Sequence, residues 1–196
     1  MKRLFGICLA VGTAAVMTAS SALAATDPAQ VVKTITAEVG AIARTHTGPS
    51  RDSAIGQVLR RHFDWRAVAS TTLGAHWNQA SEPQRARLLA AIETNETRAY
   101  SQRLGKLAGY DIKIEKVTPR AGGAWDVSSL LDQPGGLPMR LTWDVRDSPQ
   151  GPRIADVKVM GISLSMLKRA EFNSYIQRNG GAIEPLVQEL EARAGR

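Results

Sequence analysis

The sequence predicts an α+β domain in which helices at both ends of the chain wrap a curved antiparallel sheet of about four strands. Two observations predict this class. Apolar residues recur at helical spacing from about Gln30 to Ala108 and at a period of two from Tyr110 to about Gly161. Helical spacing returns after Ser163, so helices precede and follow the strands instead of alternating with them. A βαβ arrangement is therefore not expected.

The predicted helices begin and end at residues suited to those positions. Asp27 stands before Pro28, and proline fits the first helical position because no amide hydrogen is needed there. Ser81 and Gln84 form a capping-box pattern in front of the longest helix, and Gly74 can take the left-handed conformation that ends a helix. In chain order, the helices are expected at about 28–44, 50–63, 64–74, 82–108, 164–180 and 183–190.

The four strands are predicted from alternating apolar and polar residues. They are expected at about 110–115, 125–131, 139–145 and 154–161. Turn signals at 119–123, 134–136 and 148–152 separate them at hairpin spacing, which predicts an antiparallel meander.

The first 24 residues are typical of an export signal. Lys2 and Arg3 precede an uncharged apolar run from Leu4 to Met17, and Ala22-Leu23-Ala24 supplies the small residues of a cleavage site. The run is shorter than a membrane span. We therefore predict a signal peptide over residues 1–24 and one exported, basic domain over residues 25–196.

Composition excludes several classes of chemistry. Cys8, the only cysteine, lies in the predicted signal, so the exported domain has no thiol and no disulfide. The spacing of His46, His62 and His76 matches no common metal motif, and no glycine cluster forms a nucleotide loop. The basic residues are scattered without interleaved aromatic residues, so nucleic acid is not an expected partner. We expect no metal, no cofactor and no catalytic residue.

One serine keeps an enzymatic alternative open. Ser163, within Gly161-Ile162-Ser163-Leu164-Ser165, follows a strand and precedes a helix, as a hydrolase nucleophile does. However, Ser165 stands where such a turn needs its second glycine, and Ser163 is also a natural helix cap. An envelope serine hydrolase that uses Ser163 is therefore the weaker alternative.

The second half of the chain carries an unusual amount of strongly apolar surface. One face of the predicted sheet offers Tyr110, Ile112, Ile114, Trp125, Val127, Leu141, Trp143, Val157 and Val159. An ordinary filled core would explain these residues. A curved sheet wrapped by helices can equally enclose an apolar cavity, which suits an acyl chain.

Several spaced motifs resemble one family over about residues 30–190. They are Phe63-Asp64, Ala69, Leu73-Gly74-Ala75-His76-Trp77, Ser81-Glu82-Pro83-Gln84-Arg85, Tyr100, Leu104, Asp156, Gly161-Ile162-Ser163-Leu164, Phe172 and Gly180-Gly181. This pattern resembles the toluene-tolerance (MlaC-like) family of periplasmic phospholipid-binding proteins.

The resemblance implies a monomeric periplasmic carrier with no enzymatic activity. Such a protein would hold the acyl chains of a phospholipid and shuttle it between an outer-membrane lipoprotein–porin complex and an inner-membrane ABC transporter complex. A hopanoid or another polycyclic lipid is the alternative cargo. A buried methylene is worth about 0.8 kcal/mol, so a free chain of about sixteen carbons faces a penalty on the order of 10 kcal/mol in water.

We expect the cavity between the concave sheet face, the long helix after Ser81 and the helix after Ser163. The candidate wall residues are Trp77, Tyr100, Leu104, Leu107, Val127, Leu141, Trp143, Val157, Val159, Ile162, Leu164 and Phe172. Head groups should stay at the mouth because burying an unpaired phosphate is costly. Arg98, Arg103 and Arg140 are the candidates for contacting them.

Overall fold

A computed structural model describes residues 27–105, 111–132 and 135–195. In these ranges the chain forms seven helices and five strands. The helices are α1 (Pro28–Thr45), α2 (Gly48–His62), α3 (Trp65–Leu73), α4 (Ala75–Gln79), α5 (Glu82–Leu104), α6 (Leu164–Arg178) and α7 (Glu184–Ala194). The strands are β1 (Asp111–Arg120), β2 (Ala124–Asp132), β3 (Met139–Arg146), β4 (Arg153–Val159) and β5 (Ile162–Ser163). The predicted α+β class is confirmed.

Cap hydrogen bonds form at the predicted helix starts. The side chains of Asp27, Asp64 and Ser163 each accept a hydrogen bond from a backbone amide of the following first turn. Ser81 and Gln84 form both hydrogen bonds of a capping box at the start of α5. Each cap satisfies amides that the helix itself leaves without a partner, and so these local signals place the boundaries well.

The sheet is an antiparallel meander in the order β1-β2-β3-β4-β5, with one strand more than predicted. In β5, Ile162 pairs with Val159 and Ser163 pairs with Lys158. Between β4 and β5, Met160 and Gly161 both have positive φ, as a two-residue hairpin turn requires. A strand of two residues is too short to produce a visible alternation, which is why the sequence did not reveal it.

The two faces of the sheet differ in polarity. Cross-strand rows such as Val127–Trp143–Val157 and Ile112–Leu131–Met139 form one face, which we call the inner face because helices pack over it. Rows such as Lys116–Ser128–Thr142–Lys158 and Asp126–Asp144–Asp156 form the opposite, outer face. On the outer face, Arg120 and Arg146 pair with Asp144. The predicted alternation therefore separates an apolar side from a charged side.

The long helix α5 is fastened to α7 by charged and amide side chains. Arg87 pairs with Glu184 at 2.8 Å and with Glu191 at 2.7 Å. Further along, the Asn95 side chain donates a hydrogen bond to the carbonyl of Leu190. These contacts hold the last helix against the outside of α5.

A short helix, α4, was not predicted, and Gly74 makes it possible. Gly74 joins α3 to α4 with φ +55° and ψ −126°, a conformation that side chains rarely adopt. A Cβ atom there would also lie 2.5 Å from the guanidinium group of Arg169 on α6. The glycine therefore allows both the bend and the close approach of α6.

We expect Gly74→Ala to lower the free energy of unfolding by about 2 to 3 kcal/mol, through backbone strain and the contact with Arg169. Thermal or urea unfolding measures the change. In an Arg169→Ala background the cost should shrink but persist, because the backbone strain remains. Equal stability of Gly74→Ala and the parent protein would contradict this interpretation.

Candidate functional site

A cavity of about 600 Å³ lies between the inner face of the sheet and residues of four helices. Its walls come from α1, the end of α2 with Phe63, the end of α5, the inner sheet face and the first residue of α6. The lining residues are Lys33, Ile35, Thr36, Ala37, Val39, Gly40, Arg44, Leu59, Phe63, Tyr100, Arg103, Leu104, Asp111, Ile112, Leu131, Met139, Leu141, Trp143, Val157, Val159 and Leu164. Most of them are apolar, so the interior suits hydrocarbon.

The sheet supplies an apolar floor. Leu141 pairs with Val159 and Trp143 with Val157 across β3 and β4, so all four side chains lie on the inner face. The only polar atom of the Trp143 side chain, Nε1, donates a hydrogen bond to Ser129 Oγ at 2.9 Å. Because that donor is satisfied within the sheet, the indole ring requires no polar partner from a ligand.

Aromatic side chains pack together beside the C-terminal half of α5. The ring centroid of Tyr100 lies 6.3 Å from that of Phe63, which stacks in turn on Trp65 at 5.4 Å. Burial raises the pKa of the Tyr100 hydroxyl, and the negative charges of Glu96 and Asp156 raise it further. Tyr100 is therefore neutral at neutral pH and adds no charge to the cavity wall.

The end of α5 is held in position by a residue of α2. Arg51 donates a hydrogen bond from Nη1 to the carbonyl of Gly105 at 3.1 Å, and its Nη2 pairs with Asp52 at 2.8 Å. A Cβ atom on Gly105 would lie 2.2 Å from Arg51 Nε, so glycine leaves the room that this contact needs. The part of α5 that carries Tyr100 and Leu104 is thus anchored to α2.

Every charged residue that lines the cavity is exposed. Lys33 and Arg44 on α1, Arg103 on α5 and Asp111 at the start of β1 are all exposed. We call these four residues the rim. Three of them are cationic, so the rim combines access to water with a net positive charge.

Seven of the predicted wall residues line the cavity, and one predicted cation lies at its rim. The seven are Tyr100, Leu104, Leu141, Trp143, Val157, Val159 and Leu164, and the cation is Arg103. Leu107 lies outside the described residues.

Four predicted wall residues lie elsewhere. Trp77 is buried near Arg66, whose guanidinium carbon lies 5.7 Å from the ring centroid. Val127 and Phe172 are buried in the hydrophobic core but do not line the cavity. Ile162 is exposed on β5. An apolar pattern places a side chain on a buried face without indicating which part of that face the helices leave uncovered, which explains why these four residues lie outside the cavity.

Two predicted head-group cations also lie away from the cavity. Arg98 donates hydrogen bonds to the carbonyls of Arg193 and Ala194, at 3.0 Å each, and so caps the end of α7. Arg140 lies on the outer face of the sheet, where it pairs with Glu115 at 3.3 Å. Neither residue lines the cavity.

The main residues that sequence reasoning missed lie on α1. Ile35 and Val39 line the cavity together with Thr36 and Gly40, and Lys33 and Arg44 belong to the rim. The sequence predicts that α6 forms one wall of the cavity together with α5 and the sheet, but α6 contributes only Leu164. The apolar stripe of α1 was visible in the sequence, yet nothing in its spacing distinguishes a cavity wall from a core-facing helix.

Ser163 serves as a structural cap. Its hydroxyl donates to the Asp156 carboxylate and accepts a hydrogen bond from the amide of Met166 at 3.0 Å. The other Asp156 oxygen accepts from the amide of Ser165 at 3.0 Å. The histidines have other partners: His46 contacts Thr45, His62 contacts Glu38, and His76 contacts Gln79 and Asn173. No histidine is therefore placed to activate Ser163.

Two further searches cover only the described residues. Within 27–105, 111–132 and 135–195, no group of three or more His, Cys, Asp or Glu side chains could hold a metal ion. In the same ranges, no helix combines the length and the apolar character needed to cross a bilayer.

We expect Ser163→Ala to lower the free energy of unfolding by about 1 to 2 kcal/mol, because α6 loses its cap and Asp156 loses a donor. Urea unfolding measures this change, and Ser174→Ala on the exposed side of α6 is the control. Neither protein should hydrolyse a short-chain ester. Esterase turnover that disappears with Ser163→Ala would restore the hydrolase alternative.

Comparisons with known proteins agree with this architecture. The sequence matches the MlaC protein family over residues 15–192. The fold is similar to a phospholipid-binding protein from Ralstonia solanacearum, solved in complex with a phospholipid, with a TM-score of 0.74 and 21% sequence identity over 86% of this chain and 97% of that one. No protein with a curated description matches. Because the family match spans most of the sequence, this chain belongs to the MlaC protein family.

Proposed function

We propose that this protein is a periplasmic phospholipid carrier that holds acyl chains in the cavity and leaves the head group at the rim. The observation that carries the proposal is the apolar cavity between α1, α5 and the inner sheet face. Its volume of about 600 Å³ falls in the range of pockets that enclose small ligands. The match to the MlaC protein family supports the choice of ligand, as does the similar fold of a protein solved in complex with a phospholipid.

The arrangement of polarity supports a phospholipid over a polycyclic hydrocarbon. Acyl chains match the apolar floor formed by Leu141, Trp143 and Val157, while the cations of the rim match a phosphate group. A hopanoid hydrocarbon would gain little from Arg44 and Arg103. Head groups at the rim also keep their hydration, which avoids the cost of burying a phosphate.

We further propose that the carrier works in the periplasm, after removal of residues 1–24 as a signal peptide. It would receive and deliver lipid at an outer-membrane lipoprotein–porin complex and an inner-membrane ABC transporter complex. Transfer between membranes requires no bond to be broken, which agrees with the structural role of Ser163. The carrier would act as a monomer.

The proposal is tested by extracting lipid from the purified protein, and Leu141→Trp should greatly reduce the amount recovered. The larger ring would occupy the floor of the cavity, and its cost to folding should stay below about 3 kcal/mol because free volume is available. Native mass spectrometry and lipid analysis measure the load and identify its class.

Thr142→Trp is the matched control, because Thr142 lies on the same strand but on the outer face. It should retain the wild-type lipid load. Folded wild-type protein without any lipid would contradict the carrier proposal, and recovery of hopanoid alone would replace the phospholipid.

A second prediction concerns the rim. Arg44→Gln combined with Arg103→Gln should weaken binding of a phosphatidylglycerol by about threefold to tenfold, because exposed charge pairs contribute up to about 1 kcal/mol each. Displacement of a fluorescent phospholipid measures the affinity. Arg98→Gln, which removes a cation from α5 outside the cavity, should leave it unchanged. Equal affinity of the double variant and the parent would place the head group elsewhere.

A further inference from the structure

Four large apolar side chains are unusually exposed in one short stretch of chain. Met160 is 65% exposed, Ile162 56%, Met166 51% and Leu167 57%. We call these four residues the apolar tip. They occupy the turn between β4 and β5, the strand β5 and the first turn of α6. A soluble domain rarely leaves so much apolar surface together unless that surface meets something.

The apolar tip is continuous with the wall of the cavity. It is carried by the segment Val159–Leu167, whose residues Val159 and Leu164 both line the cavity. The segment is also fixed in place. The amide of Met160 donates to the carbonyl of Arg140 at 2.9 Å, and Ser163 caps α6. The tip is therefore an exposed apolar segment that hydrogen bonds hold in place next to the cavity.

Cationic residues flank the apolar tip along the chain, and residues 158–169 include no carboxylate. Val159–Leu167 contains no charged residue, and Lys158 precedes it while Lys168 and Arg169 follow it. Arg140, on the neighbouring strand β3, lies opposite Met160. Such an uncharged apolar segment with cationic flanks fits the interface of an anionic bilayer, where apolar side chains enter the acyl region and cations contact phosphate groups.

Three of these four cations have carboxylate partners, and Asp156 accepts a hydrogen bond from Ser163 within the segment. Arg140 pairs with Glu115 at 3.3 Å, and Lys158 lies 3.8 Å from Asp126, which Arg120 also contacts. Lys168 pairs with Glu96 and Glu171.

Arg169 has no carboxylate within 4 Å among the residues that the structure describes. Its guanidinium group lies against Gly74, at the C-terminal end of α3, where a cation is favoured. Arg169 is exposed, so it can contact a phosphate group beside the uncharged segment, which favours an anionic membrane surface over an uncharged apolar partner.

We propose that the apolar tip inserts into the surface of an anionic phospholipid bilayer and aligns the cavity with it, so that a lipid passes along Val159 and Leu164. This inference rests on the proposed carrier function. It adds a direct contact with the membrane to the proposed exchange with protein complexes.

The test compares binding of the purified protein to vesicles. The triple variant Met160→Asn, Ile162→Thr and Leu167→Gln removes apolar surface while keeping local preferences, because asparagine tolerates positive φ, threonine suits a strand and glutamine suits a helix. Co-sedimentation with vesicles of phosphatidylethanolamine and phosphatidylglycerol should show wild-type binding and a loss of at least about tenfold in the variant. Leu137→Gln, which removes an even more exposed leucine outside the tip, is the control and should change binding less than about twofold.

Charge substitutions supply a second, independent readout. Arg140→Gln with Lys158→Gln should weaken binding to the phosphatidylglycerol vesicles by up to about fivefold per charge and leave binding to phosphatidylcholine vesicles unchanged. Arg178→Gln, at the far end of α6, is the control.

The inference is overturned if the wild-type protein does not bind the anionic vesicles, or if the triple variant binds them as well as the parent does. In either case the tip would instead contact a protein partner. The lipid load separates this failure from failure of the carrier proposal, since the triple variant should copurify with as much lipid as the parent. Protein without lipid in every form would overturn the carrier function itself.

Discussion

The constraint on which the rest of the structure depends is an apolar sheet face that its own helices do not fully cover. Ile35 and Val39 from α1 and Leu104 from α5 approach the inner face but leave about 600 Å³ between them. The helices cannot simply collapse into that space, because they are held by contacts elsewhere. Arg51 fixes the end of α5 through the carbonyl of Gly105, and ion pairs hold α5 to α7 on its other side. An unfilled apolar space forfeits packing energy, so a ligand that fills it recovers that energy.

The charged groups near the cavity lie at its edge, and the polar groups of its aromatic wall residues are uncharged. Trp143 donates within the sheet to Ser129, and burial keeps Tyr100 neutral. The charged side chains Lys33, Arg44 and Arg103 lie at the rim, in contact with water. This separation follows from the cost of burying an unpaired charge, and it produces one apolar compartment with one polar edge. An amphiphile with a charged head and hydrocarbon tails has the same division.

Local patterns in the sequence determine most of the fold but only part of the cavity. Helix starts such as Ser81 and the change of period before β1 are local signals, and the structure follows them. Which apolar residues face the void depends instead on how far α1 stands from the sheet, and that distance is set by contacts between residues remote in sequence. Val127 and Trp143 illustrate the difference, since they are cross-strand neighbours on the same face, yet only Trp143 lines the cavity. The exposed Ile162 and the capping role of Arg98 likewise depend on tertiary neighbours that no spacing reveals.

The segment around Ser163 shows why a sequence motif must be interpreted through its partners. A strand, a glycine turn and a serine before a helix also occur at hydrolase nucleophiles. Here both sides of the Ser163 hydroxyl are used, by Asp156 and by the amide of Met166, and this fixes the start of α6 next to the cavity. The same geometry that removes Ser163 from catalysis holds Leu164 in the cavity wall. For a carrier this is sufficient chemistry, because a cavity about as apolar as a bilayer makes exchange of hydrocarbon nearly neutral in free energy. In the proposed shuttling role, net direction would come from the partners that load and unload the lipid.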